Sequence, residues 1–211
     1  MTRREPLTRA RIVAKAVQLI DEGGADALTM RRLAGALGVD PMAVYHHLPS
    51  KAAVVREAIE TVMAGCEWPA PTGTWKARVR AVCRSFRGLS RAHPGLFPLL
   101  CAHRTTVAGH HRMREALLSA LSEAGLSDRD AVRAAAAVLS YVAGSMLEGI
   151  GDALRPLDEA DRASLRSLSP AEHPTTARLM DALMERDADA EFEFGLDILL
   201  AGAGARAAAE G

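Results

Sequence analysis

The chain has 211 residues, 49% of them hydrophobic, only 4% aromatic, with a formal net charge of zero. That allows one large domain or two small ones with a sizeable core. Three cysteines are too few for a disulfide framework, which points to a reducing cytoplasm, and no run of about eighteen apolar residues exists to cross a membrane.

Alanine and leucine outweigh the aromatics, so an all-α fold is expected. Charge is unevenly spread. Residues 1–51 carry eight Arg or Lys against five Asp or Glu, a basic first quarter on an acidic remainder. The N-terminus has basic residues with no apolar signal segment after them, and residues 1–7 read as an arm whose Arg3 and Arg4 either touch phosphate or lie solvated.

Thr8 caps a first helix to about Glu22, with Ile12, Val13, Ala16, Val17, Leu19 and Ile20 as its apolar stripe, and Gly23-Gly24 ends it. Thr29 caps a second helix that places Leu33, Ala34 and Leu37 on one face. Gly38 stands where a left-handed residue must end that helix. Asp40 caps a third helix, and Pro41 suits its first position because no amide proton is needed there. Val44 and Leu48 point inward, leaving Met42, Ala43, Tyr45 and His46 outside. A helix this short is unstable alone, so an exposed face on it needs a use. A helix-turn-helix that lays its second helix in the DNA major groove supplies one. Ser50 caps a fourth helix with Val54, Val55, Ala58, Ile59, Val62 and Met63 inward, and Lys51 at its start calls for an anion such as a DNA phosphate.

The Pro- and Gly-rich stretch 65–73 divides the chain into a head, 1–64, and a body, 65–211. The body reads as helices at about 74–92, 94–100, 109–124 and 127–153, the last crowded with small residues that permit close packing. A long loop with a short helical piece near 158–167 follows, then helices at about 175–185 and 187–208. In the last, Phe192, Leu196, Leu199 and Leu200 share a face, with Phe194 and Ile198 beside it.

Leu28-Thr-Met-Arg-Arg-Leu-Ala34, then Leu37-Gly-Val39, Ala43-Val-Tyr-His-His47 and Lys51 resemble the DNA-binding part of the TetR family of bacterial transcriptional repressors. His173-Pro174 and the run Phe192 to Gly202 resemble the C-terminal part of the subgroup nearest the tetracycline repressor. The resemblance implies an all-helical homodimer with a three-helix head and a larger effector-binding and dimerisation domain. It implies pairing through the helices near 127–153 and 187–208, and an almost palindromic double-stranded operator. It also implies a repressor released by a small-molecule effector.

Carried onto this sequence, the resemblance makes Thr29, Arg31, Pro41, Met42, Ala43, Tyr45, His46, His47 and Lys51 the DNA-binding residues. Arg31 can reach a base edge or phosphate, and Tyr45, Lys51 and Thr29 are expected on phosphates, which position rather than specify. Pro41, Met42 and Ala43 favour thymine methyl groups over hydrogen-bonded readout. Phe86, Phe97, His103, Met113, Met146 and Glu148 are the candidate effector contacts. In the tetracycline repressor a histidine near this region helps hold a drug-bound magnesium, and His103 is the residue here that could do so. No resident cofactor or metal site is expected, because the Cys101, His103, His110 and His111 spacing makes no ordered ligand set. The competing readings are a metal- or redox-responsive sensor on this scaffold, using Cys66, Cys83 and Cys101, and a helical enzyme carrying a helix-turn-helix. Against an enzyme, the sequence has no Gly-rich phosphate loop, nucleophile elbow or paired-histidine helix motif.

Overall fold

The computed structural model describes residues 6–68, 72–103, 108–150, 158–185 and 187–210, with residues 148–150 and 210 described by backbone alone. All regular structure among them is helical. Thr8 caps α1 (Arg9–Ala27), its hydroxyl oxygen accepting from the Arg11 amide at 3.2 Å. Helical geometry breaks at Gly23 and Gly24, where the sequence predicts an end, but one more turn winds on through Ala27. The head continues with α2 (Met30–Leu37), α3 (Pro41–His47) and α4 (Lys51–Ala64). Ile12, Ala16 and Ile20 of α1 pack with Leu33 and Ala34 of α2, Val44 of α3 and Val54, Ala58 and Ile59 of α4, all fully buried.

The body comprises α5 (Trp75–Ala92), α6 (Phe97–Ala102), α7 (Ala108–Glu123), α8 (Asp128–Ile150), α9 (Glu159–Arg166), α10 (Pro174–Arg178), α11 (Met180–Met184) and α12 (Ala188–Glu210). Two predicted elements are corrected. The helix expected from Pro94 begins only at Phe97, because residues 94–96 turn against the end of α1. The single helix expected over 175–185 is two pieces hinged at Leu179, whose ψ of 11° departs from helical geometry.

Helix α8 packs on α5, α6, α7 and α12, and α4 reaches from the head onto α6 and α7. The apolar residues of head and body therefore join into one cluster, running from Ile12 to Leu200. The expectation of no apolar stretch long enough to cross a membrane is corrected: Asp128–Leu147 passes by length and hydropathy alone, with about a third of it buried inside this chain. No residue of α9, α10 or α11 is buried, so this stretch lies on the outside of the bundle.

Candidate nucleic-acid interface and effector region

The helix-turn-helix is built by caps. The Thr29 hydroxyl oxygen accepts from the Arg32 amide at 3.1 Å, and Asp40 Oδ1 accepts from the Met42 amide at 2.8 Å. Between them Gly38 turns the chain at φ 67°, a left-handed conformation that glycine adopts without Cβ strain. Val44 and Leu48 are buried and pin α3 to the core. The rest of α3 points away. Met42 is 60% exposed and Tyr45 40% exposed, large side chains that a helix would bury if it served only the core. His46 and His47 are exposed, and Pro41 and Ala43 half-exposed, so the sequence-predicted residues of this helix lie together on its outer side.

Thr29, Arg31 and Lys51 are exposed at helix starts flanking α3. The Thr29 oxygen that caps α2 still carries a proton to donate. Lys51 does not wait for an anion. Its ammonium donates to the Ala25 carbonyl at 3.0 Å, tying the start of α4 to the end of α1. Arg3 and Arg4 lie outside the described residues.

In the body, Phe86 of α5 and Phe97 of α6 meet with ring centroids 5.1 Å apart. Met113 of α7 and Met146 of α8 are also buried, so four of the six candidate effector contacts come from the inner sides of four successive core helices. His103 is half-buried at the end of α6, its Nδ1 2.8 Å from the Leu99 carbonyl oxygen. The Glu148 side chain lies outside the described residues. Among the described residues no three His, Cys, Asp or Glu side chains gather as a metal's ligands. Burial pushes the Cys83 thiol up to about 12, with Glu193 adding to the rise, and burial raises Cys66 too. Both thiols are held in the protonated, unreactive form at neutral pH.

Sequence reading missed a row of charge on the opposite side of α5. Arg80 pairs with Asp197 and Glu193, and Arg84 with Glu193 at 2.8 Å. Arg87 and Arg91 pair with Asp189, and the Arg87 guanidinium lies 4.4 Å from the centre of the Phe192 ring. The signal was present: arginines at helical spacing on one helix and acids every fourth residue on another. The same reading missed Asp130, buried on α8 and held by Arg133 at 3.1 Å and Arg206 at 2.6 Å.

Residues 12–58 match the model of bacterial regulatory proteins of the tetR family, and residues 69–207 match the tetracyclin repressor-like C-terminal domain. The chain is 30% identical to the HTH-type transcriptional repressor DrrR1 of Streptomyces coeruleorubidus, over 93% of this chain and 77% of that one. It is 31% identical to the class A tetracycline repressor protein from transposon 1721 in Escherichia coli, over 96% and 91% respectively. Apo ActR from Streptomyces coelicolor superposes with a TM-score of 0.84 at 30% identity, covering 98% of this chain and 99% of that one. ActR in complex with actinorhodin gives 0.83 at 28% identity, covering 96% and 99%. Both matches and the relatives at 30% identity or more show that the chain belongs to the TetR family of DNA-binding bacterial transcriptional regulators.

Proposed function

We propose that this chain is a repressor that grips a near-palindromic operator as a homodimer and is released by a small organic effector bound in its body. The observation that carries the reading is α3, held by Val44 and Leu48 while Met42, Tyr45, His46 and His47 face solvent. Tyr45, Lys51 and Thr29 contact phosphates, Arg31 reaches a phosphate or base edge, Pro41, Met42, Ala43 and His46 lie along the major groove, and His47 packs or bonds near a backbone phosphate. Lys51 exchanges its carbonyl partner for phosphate on binding. The head is residues 1–64 and the body 65–211, with α4 as connector.

The dimer forms through α8 and α12. Their surfaces carry exposed Val132, Leu147, Phe194 and Ile198, and Ile198 also lines a groove of about 400 Å³ between the two helices. Phe86, Phe97, His103, Met113, Met146 and Glu148 hold the effector, with any divalent metal arriving on the effector and meeting His103. ActR has been solved with actinorhodin, and the tetracycline repressors are named for their drug, which supports an organic effector for this chain. The effector acts by favouring dimers whose heads no longer match the half-sites; equal affinity for both states would release nothing. The site of action is the cytoplasm, where the operator is.

The test is fluorescence anisotropy of a duplex selected from random DNA by the wild-type chain. Tyr45→Ala and Lys51→Ala each weaken binding by about tenfold at moderate salt, and Lys51→Ala lowers the salt slope by about one. Unchanged affinity in both variants would sink the assignment of α3.

A further inference from the structure

Asp21 reaches out of the head to the loop between α5 and α6. Its Oδ2 lies 2.7 Å from His93 Nδ1, and its Oδ1 accepts from the Leu96 amide at 3.1 Å. Both carboxylate oxygens are engaged by one loop of the body. Between those two contacts Gly95 lies against the α1 backbone. A Cβ there would overlap the Ile20 carbonyl and sit 2.7 Å from Asp21 Cα, so only glycine permits the approach.

The loop is stiff as well as close. The His93 amide donates to the Leu89 carbonyl and the Phe97 amide to the His93 carbonyl, each at 2.9 Å. Pro94 fixes one backbone angle, and Leu96 and Phe97 are fully buried. On the other side, Leu19 and Ile20 anchor α1 in the head. Asp21 and His93 side chains are only 20% and 28% exposed, which shields their contact from competing water.

We propose that the Asp21–His93 latch locks the head's orientation on the body and so sets the half-site spacing that the homodimer accepts. The inference rests on the homodimeric operator-binding reading above. Helix α4 joins head to body covalently and packs on α6 and α7 along its own length. The Asp21 tie acts off the α4 axis, between α1 and the loop before α6, and adds a second restraint against rotation of the head. A base pair inserted between half-sites moves the second one by about 3.4 Å and about a tenth of a turn, which a locked head cannot follow.

Full-length wild type, Asp21→Ala and His93→Ala are titrated with the selected operator and with versions one base pair longer or shorter between half-sites. Wild type loses affinity sharply on respacing. Each variant, one altered in the head and one in the body, narrows that loss by about tenfold, the weight of one charge-assisted hydrogen bond. Thermal melts and sedimentation are run alongside, and if Asp21→Ala does not fold, His93→Ala decides alone. Equal respacing losses in wild type and folded variants overturn the latch and leave the operator reading standing. Failure of wild type to select any two-fold symmetric duplex overturns that reading and the latch with it.

Discussion

Val44→Ala separates holding the recognition helix from reading DNA with it. Val44 is fully buried under α3, and the substitution deletes two methyl groups. Their transfer to water costs about 1.6 kcal/mol at roughly 0.8 for each. The cavity left behind adds about 1 kcal/mol, while the better helix propensity of alanine returns about 0.5. Local opening of α2 and α3 therefore becomes easier by about 2 kcal/mol, or roughly thirtyfold faster amide exchange across residues 30–48 under native conditions. Hydrogen exchange read by mass spectrometry on the whole chain measures it. Tyr45→Ala is the counterpart. Its ring is 40% exposed, so exchange stays near wild type while operator affinity drops. If Tyr45→Ala quickens exchange as much as Val44→Ala does, Tyr45 is an anchor, and the division of α3 into inner and outer residues is wrong.

The arginine row on α5 predicts acid sensitivity. The charge of Arg87 chiefly lowers Asp189, the hydrogen bond from Arg84 chiefly lowers Glu193, and that from Arg78 chiefly lowers Glu123. A carboxylate depressed on folding contributes its stability above its unfolded value and loses it as pH falls through its folded one. The thermal midpoint should hold from neutral to about pH 5 and decline below about pH 4, less steeply in Arg87→Gln, and a flat profile to pH 3 would deny the row any role. Gly195→Ala probes the α8–α12 contact: a Cβ there would overlap the Tyr141 hydroxyl, which donates to the Phe192 carbonyl at 2.9 Å. Sedimentation should show the proposed dimer shifted towards monomer, and an unchanged association state with an unchanged melt would remove Tyr141 from that contact.

The head was legible in the sequence because its signals are local. Thr8, Thr29, Asp40 and Ser50 each cap the helix expected of them, and Gly38 makes its turn, all within a few residues of the bond formed. Six of the seven buried residues of α4 followed from helical spacing for the same reason. Long-range pairs were not legible. Nothing near Asp21 announces a partner 72 residues away, and the matched spacings of the α5 arginines and the α12 acids do not by themselves say that the two helices meet. The split at Leu179 was hidden because no proline or glycine marks it. Among the candidate effector contacts, apolar residues on core helices serve packing and ligand equally well. Phe86 against Phe97 satisfies helix spacing whether or not a molecule ever enters.

Arg80, Arg84 and Arg91 of α5 meet acids that lie 98–117 residues later in the chain. At ribosomal speeds that separation is roughly five to twenty seconds during which α5 exists with its guanidinium groups uncovered. The segment 187–211 holds six acidic residues against one arginine, so a product ending before it carries a net charge of about +5. The C-terminal helix therefore supplies the charge that covers the α5 guanidinium groups and brings the whole chain to neutrality.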